Sequence, residues 1–126
     1  NRDMKTILFS ILILFSINGF AFNWKKVDIN SLGSSIYVDV DNIKKHNGLV
    51  YYWTLVDLIE PSDGTNSLIS KDKVDCGEEN QTRLNFTAYS QSMGRGKILV
   101  EDSPNEILYP KPKEVGYIVM KFVCNY

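Results

Sequence analysis

Residues 113–126 read Lys-Glu-Val-Gly-Tyr-Ile-Val-Met-Lys-Phe-Val-Cys-Asn-Tyr, and this stretch decides the fold. Its apolar residues recur at positions 115, 118, 119, 122 and 126, a spacing that places them along one side of a helix. Met120, Val123 and Cys124 widen the stripe, so the helix is expected to be largely buried. A strand over residues 117–123 is the competing interpretation, because several of these side chains are β-branched or aromatic.

The stretch ends near Cys124, and the chain has one other cysteine, Cys76. An isolated pair of cysteines in an oxidising compartment usually forms a disulfide; a free or intermolecular thiol is the alternative. A metal or redox site is not expected, because the chain has no Cys-x-x-Cys and its one histidine, His46, lies in a turn-like segment. We therefore predict that a Cys76–Cys124 bridge ties a C-terminal helix to a β-sheet.

The N-terminal segment is typical of an exported protein. Lys5 precedes an apolar run, residues 7–17, and Gly19 and Ala21 then form a small-x-small cleavage signal. We predict upstream residues and a cleaved signal peptide over residues 1–21, and a single mature domain over residues 22–126. A membrane anchor is the alternative, but the run is shorter than the roughly 20 apolar residues that a span requires. No cysteine stands at the cleavage point, so the periplasm, secretion or the cell surface without a lipid anchor is expected.

Composition places the chain among ordinary globular domains. Its 126 residues suffice for one domain, and 44% are hydrophobic and 23% charged, which excludes a disordered tail or a fibre. The formal charge of −1 argues against a general nucleic-acid binder. Seven Tyr, six Phe and two Trp favour β-structure, because aromatic rings pack well on a pleated surface.

Short β-prone segments fill the middle of the chain, with tight turns and no helical pattern between them. Asn47-Gly48 is the strongest hairpin signal, and residues 41–45 are expected to form a short link, with one helical turn capped by Asp41 as an option. Both sides of residues 49–59 are largely apolar, so this central strand is expected to be covered on both sides. The predicted strands are residues 22–30, 35–40, 49–59, 67–75, 83–89 and 98–100.

These segments predict an α+β fold: a single antiparallel β-sheet of about five to six strands, arranged as a meander and covered by the C-terminal helix. The disulfide tethers the helix to the sheet. It would close a loop of about 49 residues, for which the chain-entropy estimate is roughly 4 kcal/mol of stability.

No residue pattern predicts catalysis, so no catalytic, cofactor-binding or metal site is expected. The acids that end strands or flank turns do not fall into a recognisable pair, and Gly94-Arg95-Gly96-Lys97 lacks the spacing and following helix of a phosphate loop. Paired lysines could form a basic face for glycans or acidic partners, although a solvated surface is the plainer interpretation. The acids are Asp39, Asp41, Asp57 and Asp75; the lysines are Lys25, Lys26, Lys44, Lys45, Lys71, Lys73, Lys111 and Lys113.

The order of several short motifs resembles the bacterial surface-adhesin protein E family over nearly all of the predicted mature chain. The motifs are Trp24, Tyr37-Val38-Asp39, Ile43, a strand over 50–57 centred on Trp53, Val74-Asp75-Cys76, Tyr89-Ser90, Met93-Gly94, Gly96 and Val123-Cys124. The resemblance implies an exported domain with a curved antiparallel sheet and a disulfide-bridged C-terminal helix. It also implies binding to host extracellular-matrix or serum proteins, and dimerisation. The family's namesake type is a lipoprotein, whereas this chain has no lipid-attachment cysteine.

Two functions remain open from the sequence. The first is a non-enzymatic binding module that recognises a protein partner, such as a host extracellular-matrix or envelope protein. The second is a periplasmic structural or envelope-maintenance protein that acts as a homodimer. The partner-binding residues are unknown from sequence, because no recognisable host-binding segment is present.

Overall fold

The protein is described by a computed structural model that covers residues 21–126. The predicted signal peptide therefore lies outside the described residues, apart from Ala21. The elements are β1 (Trp24–Ile29), β2 (Ser35–Asp39), β3 (Lys44–His46), β4 (Leu49–Ser62), β5 (Thr65–Asp75), β6 (Asn80–Tyr89), a 3-10 turn (Ser92–Gly94), β7 (Ile98–Asp102), β8 (Glu106–Leu108) and α1 (Val115–Asn125). Within residues 21–126, no helix is long and apolar enough to cross a membrane.

The eight strands within residues 21–126 form one antiparallel sheet, whose main path has the order β1-β2-β4-β5-β6-β7. The two short strands lie off this path: β3 pairs with β4, and β8 pairs with β6. The predicted fold class is therefore confirmed. The sheet has more strands than the expected five to six because β3 and β8, of three residues each, are too short to leave a pattern in the sequence.

Two hairpin turns join the longest strands to their neighbours. Asn47 and Gly48 have φ angles of 53° and 80°, as the predicted hairpin requires. Asp63 and Gly64, with φ angles of 49° and 81°, form a second such turn between β4 and β5. β4 thus continues past the predicted end at Ile59, and Pro61 is accommodated where the register between β4 and β5 shifts.

The hydrophobic core lies between one face of the sheet and α1, and we call this side of the sheet the helix face. Helix residues Val119, Met120 and Val123 are buried, which settles the alternative between helix and strand in favour of the helix. The buried side is centred one position away from the predicted stripe, since Ile118 is 39% exposed and Tyr126 is 57% exposed. The sheet contributes the buried residues Ile36, Val38, Val50, Tyr52 and Val74.

The opposite side of the sheet, the loop face, is covered at its other end by residues 90–97. Ser67 Oγ accepts a hydrogen bond from the amide of Gly94, and Asp57 Oδ1 accepts one from Met93, both at 2.8 Å. A Cβ atom on Gly94 would lie 2.6 Å from Ile69 Cδ1, and the φ of Gly94 is +70°, so glycine fits this close approach. The central strand β4 is therefore covered on both faces, but at opposite ends.

The predicted disulfide is present. Cys76 and Cys124 are joined by an S–S bond with a Cα–Cα distance of 6.0 Å. Beside it, Glu79 accepts hydrogen bonds from the Tyr117 hydroxyl at 2.9 Å and pairs with Lys121 Nζ at 2.7 Å. The turn between β5 and β6 thus holds α1 by one covalent and two polar links.

The segment after β2 differs from the predicted short link. Residues 41–43 form a turn in which Asp41 caps no helix, and Lys44 and Lys45 already belong to β3. Asp39 organises this turn: its carboxylate accepts hydrogen bonds from the amides of Asn23 and Asp41 and from the Asn42 side chain. A short strand forms here because β4 offers a free edge beyond the end of β2.

Candidate functional site

The acids singled out in the sequence do not meet in a cleft. Asp39 is fully buried in the turn that it organises. Asp57 holds the loop over residues 90–97, and Asp75 accepts hydrogen bonds from the amides of Gly77 and Glu78. Asp41 is exposed. Each of the three bonded carboxylates serves a turn or loop, so the geometry gives no general acid and base pair.

His46 and the Gly94–Lys97 segment are also placed in turns or at edges. His46 is exposed on β3, and its Nε2 lies 3.1 Å from the side-chain nitrogen of the neighbouring Asn47. Lys97 donates its amide to Ser90 Oγ at 2.8 Å, which closes the loop as a turn. Residues 21–126 contain no group of three or more His, Cys, Asp or Glu that could hold a metal ion.

A buried polar cluster lies beneath the helix face around Asp72. Its carboxylate is 0% exposed and receives long hydrogen bonds from Thr54, Ser70 and Arg83, at 3.3, 3.3 and 3.4 Å. Burial raises the pKa of Asp72 despite the attraction of Arg83, because removal from water outweighs one long ion pair. The adjacent Tyr52 hydroxyl has no hydrogen-bond partner among the described residues, and burial and then Asp72 raise its pKa well above the usual value.

Exposed apolar side chains concentrate on the last two strands and the residue after them. We call this surface the apolar edge; it consists of Ile98, Leu99, Val100, Ile107, Leu108 and Tyr109. Leu99 and Val100 are 43% and 49% exposed, and they border a shallow trough of ≈ 560 Å³ that also contains Leu58, Leu68 and Phe86. β7 is the last strand in the order of the sheet. Its exposed apolar side chains therefore lie beside the backbone groups of a sheet edge, which can pair with another strand.

A second concave surface lies on the loop face near β3, and we call it the lysine groove. It has a volume of ≈ 530 Å³ and is lined by Asn42, Lys44, Lys45, His46, Tyr51, Tyr52, Trp53 and Lys71. Lys71 Nζ lies 5.6 Å from the centroid of the Trp53 ring, within the range of a cation–π contact. Trp53 meets Phe22 edge to face at 5.8 Å, and Phe22 stacks on Trp24 at 4.5 Å.

These features define the class of the protein: a small α+β domain with one open antiparallel sheet and one C-terminal helix, joined by a disulfide. The chain belongs to the surface-adhesin protein E family, whose profile matches residues 24–125. The resemblance inferred from the sequence is thereby confirmed. The family indicates an exported or surface-located binding module, and family and fold together argue against an enzyme.

Solved structures with a similar fold include protein E of Haemophilus influenzae. One such structure has a TM-score of 0.59 and 17% sequence identity, and the match covers 84% of this chain and 86% of that one. Protein E from non-typeable Haemophilus influenzae matches with a TM-score of 0.53 and 19% identity, over 83% and 86% of the two chains. At these identities the likeness shows the shared fold.

Among curated proteins, a glutamyl-tRNA reductase of Saccharolobus solfataricus is 29% identical over 99 residues. The match covers 76% of this chain but only 22% of the reductase, so the chain spans about a fifth of that protein's length. A match to so small a part of a much longer enzyme carries no reductase activity to this chain.

Sequence reasoning did not identify the apolar edge. Residues 98–100 were expected as a strand, but whether their side chains pack inward depends on what lies over them, which the sequence does not state. The signal that could have found the surface is the recurrence of three apolar residues in a row after residue 97, at 98–100 and 107–109, between segments rich in charge and proline. The sequence offers the paired lysines as one option for a basic face, but it does not show which of them lie together, since β3 and β5 approach each other across β4 only in the folded sheet.

Proposed function

We propose that this chain is an exported, non-enzymatic module that binds a protein outside the cytoplasm through its apolar edge. Export is supported by the signal-like residues 1–21 and by the disulfide, which persists in oxidising compartments. A protein partner is supported by the surface-adhesin family. Host extracellular-matrix and envelope proteins are the proposed partners.

The observation that carries the proposal is the apolar edge itself. Exposed apolar side chains gathered on an edge strand, here Ile98, Leu99 and Val100 of β7, are typical of interaction sites. An edge strand can also accept an added strand, which supplies main-chain hydrogen bonds to an extended partner segment. Glu101 and Asp102 at the end of β7 would favour a partner segment with basic residues beside its apolar ones.

The test is a binding assay with the oxidised, exported protein against immobilised matrix proteins and envelope extract. Leu99→Lys places a charge on the apolar edge and is expected to weaken capture about tenfold, a loss of about 1.4 kcal/mol. Leu32→Lys is the matched control, because Leu32 is 79% exposed in the turn between β1 and β2. Equal binding by the two variants would contradict the proposal.

A second copy of the chain is the alternative occupant of the apolar edge, as expected for a homodimeric envelope protein. Solution scattering over a range of concentrations distinguishes the two functions. A dimer that Leu99→Lys dissociates and Leu32→Lys does not would favour the structural homodimer. A monomer at all concentrations would leave the protein partner as the occupant.

A further inference from the structure

We propose that the lysine groove binds a sulfated polysaccharide chain. The groove exists because the edge of β4 is shared by two strands. β2 pairs with Thr54–Asp57 and β3 with Leu49–Tyr51, so the ladders leave Tyr52 and Trp53 between them. The segment between β2 and β3 passes this point, and its Asn42 lines the groove.

The lining is cationic. Lys44 faces the same side of the sheet as its cross-strand partner Tyr51, and Lys71 the same side as its partner Trp53.

The ion pairs among the described residues, Arg83–Asp72 and Lys121–Glu79, involve none of the groove lysines. No carboxylate belongs to the lining, and the nearby Asp39 is fully buried and bonded within its own turn. The groove therefore attracts anions while the whole chain carries a formal charge of −1.

The placement of the charges favours an extended anion over a small one. Lys44 lies on β3 and Lys71 on β5, on the two sides of β4. Their backbones are thus about two strand spacings apart, close to 10 Å. A ligand that carries successive anionic groups can cross β4 and meet lysines on both sides. The volume lies within the roughly 300–1,000 Å³ typical of small-ligand sites, so a short stretch of the chain would be held.

The walls favour a sugar chain over an acidic peptide. Tyr51 offers aromatic surface on which the apolar side of a pyranose ring can pack, while the Tyr51 hydroxyl and His46 can bond to sugar hydroxyls. The gap in the ladder is two residues long, which is too short to pair an added peptide strand. The cations are lysines, which act as point charges and suit sulfate; arginine, the residue suited to bidentate contact with carboxylates, is absent from the lining.

The test is calorimetric binding of heparin oligosaccharides to the oxidised protein at low salt, with desulfated heparin and polyglutamate as parallel ligands. Heparin is expected to bind, and the parallel ligands to bind at least about tenfold more weakly. Lys44→Gln/Lys71→Gln is expected to weaken heparin binding about tenfold and to reduce the dependence of affinity on salt, because fewer counterions are exchanged. The control Lys97→Gln/Lys111→Gln removes the same charge from exposed sites elsewhere and is expected to change affinity less than twofold.

Tyr51→Leu separates stacking from charge. It is expected to weaken heparin binding several-fold while leaving the salt dependence unchanged. Near-ultraviolet circular dichroism verifies that each variant keeps its tertiary packing. Equal losses in the two lysine variants, or no heparin binding by the parent protein, would overturn the proposal. Polyglutamate binding as tight as heparin binding would overturn it in favour of an acidic peptide, and desulfated heparin binding equally well would remove sulfate as the determinant.

Discussion

Asp72 shows what a single buried charge does to this domain. Its carboxylate is fully buried, and the three hydrogen bonds that it accepts are long, with donor–acceptor distances of 3.3 Å or more. The pKa of Asp72 is raised above the roughly 3.9 of an exposed aspartate. At pH values between the unfolded-state pKa and the folded-state pKa of Asp72, the folded state therefore binds more protons than the unfolded state. The contribution of Asp72 to stability is favourable below the unfolded pKa and is lost as the pH rises through the folded pKa.

Asp72→Asn tests this sign. The variant keeps the shape of the side chain but removes its charge, so its stability relative to the parent is expected to increase as the pH rises from about 4 towards neutrality. Urea unfolding at a series of pH values measures the difference between the two proteins. Asp102→Asn, at an exposed position on β7, is the control for removing a carboxylate from the protein surface. A difference that decreases with pH for Asp72→Asn would show that the ion pair with Arg83 outweighs burial.

At the scale of elements, α1 is held to the sheet by its apolar side, by the disulfide and by Glu79. The hydrogen bonds from Lys121 and Tyr117 lower the pKa of Glu79. This group stabilises the fold above its unfolded pKa and loses that effect as the pH falls, the opposite of Asp72. Both side chains of the Glu79–Lys121 pair are nearly half exposed, so the disulfide is the stronger link.

Removing the disulfide is expected to destabilise the fold strongly. Cys124→Ser restores the freedom of a chain segment spanning 48 residues in the unfolded state, which costs about 4 kcal/mol in the chain-entropy model. The melting temperature is expected to fall by roughly 20 °C for a domain of this size. Differential scanning calorimetry measures the shift, and reductant added to the parent protein should reproduce it. A parent protein whose melting temperature is unchanged by reductant would contradict the expectation.

The long elements could be predicted from the sequence because their signals are local. The apolar β-prone run of β4, the Asn47-Gly48 turn and the apolar spacing in α1 follow from side-chain type, backbone freedom and side-chain periodicity, respectively. β3 and β8 could not be predicted, since three residues carry no period and each forms only where a neighbouring strand offers a free edge. The buried side of α1 lies one position away from the predicted stripe because the rotation of the helix about its own axis depends on its packing against the sheet.

At the scale of the whole molecule, the two faces of the sheet are covered at opposite ends. α1 packs near Val50 and Val74 on the helix face, whereas the loop over residues 90–97 packs near Leu55 and Ile69 on the loop face. The uncovered part of each face contains one candidate surface: the trough beside the apolar edge on one, the lysine groove on the other. Neither surface could be located from the sequence, because each is assembled from strands brought together by long-range pairing.

The disulfide also determines how the domain would respond to tension along its chain. A force applied at the two ends of the oxidised domain passes directly from Cys76 to Cys124, so the residues between them cannot be drawn out. Only the strands before Cys76 can be extended, and the second half of the sheet stays a closed loop. Single-molecule pulling should therefore yield a contour length about 160 Å shorter for the oxidised than for the reduced protein, given 48 residues in the loop and about 3.3–3.6 Å per extended residue. Equal contour lengths would show that the bridge is not formed in the pulled protein.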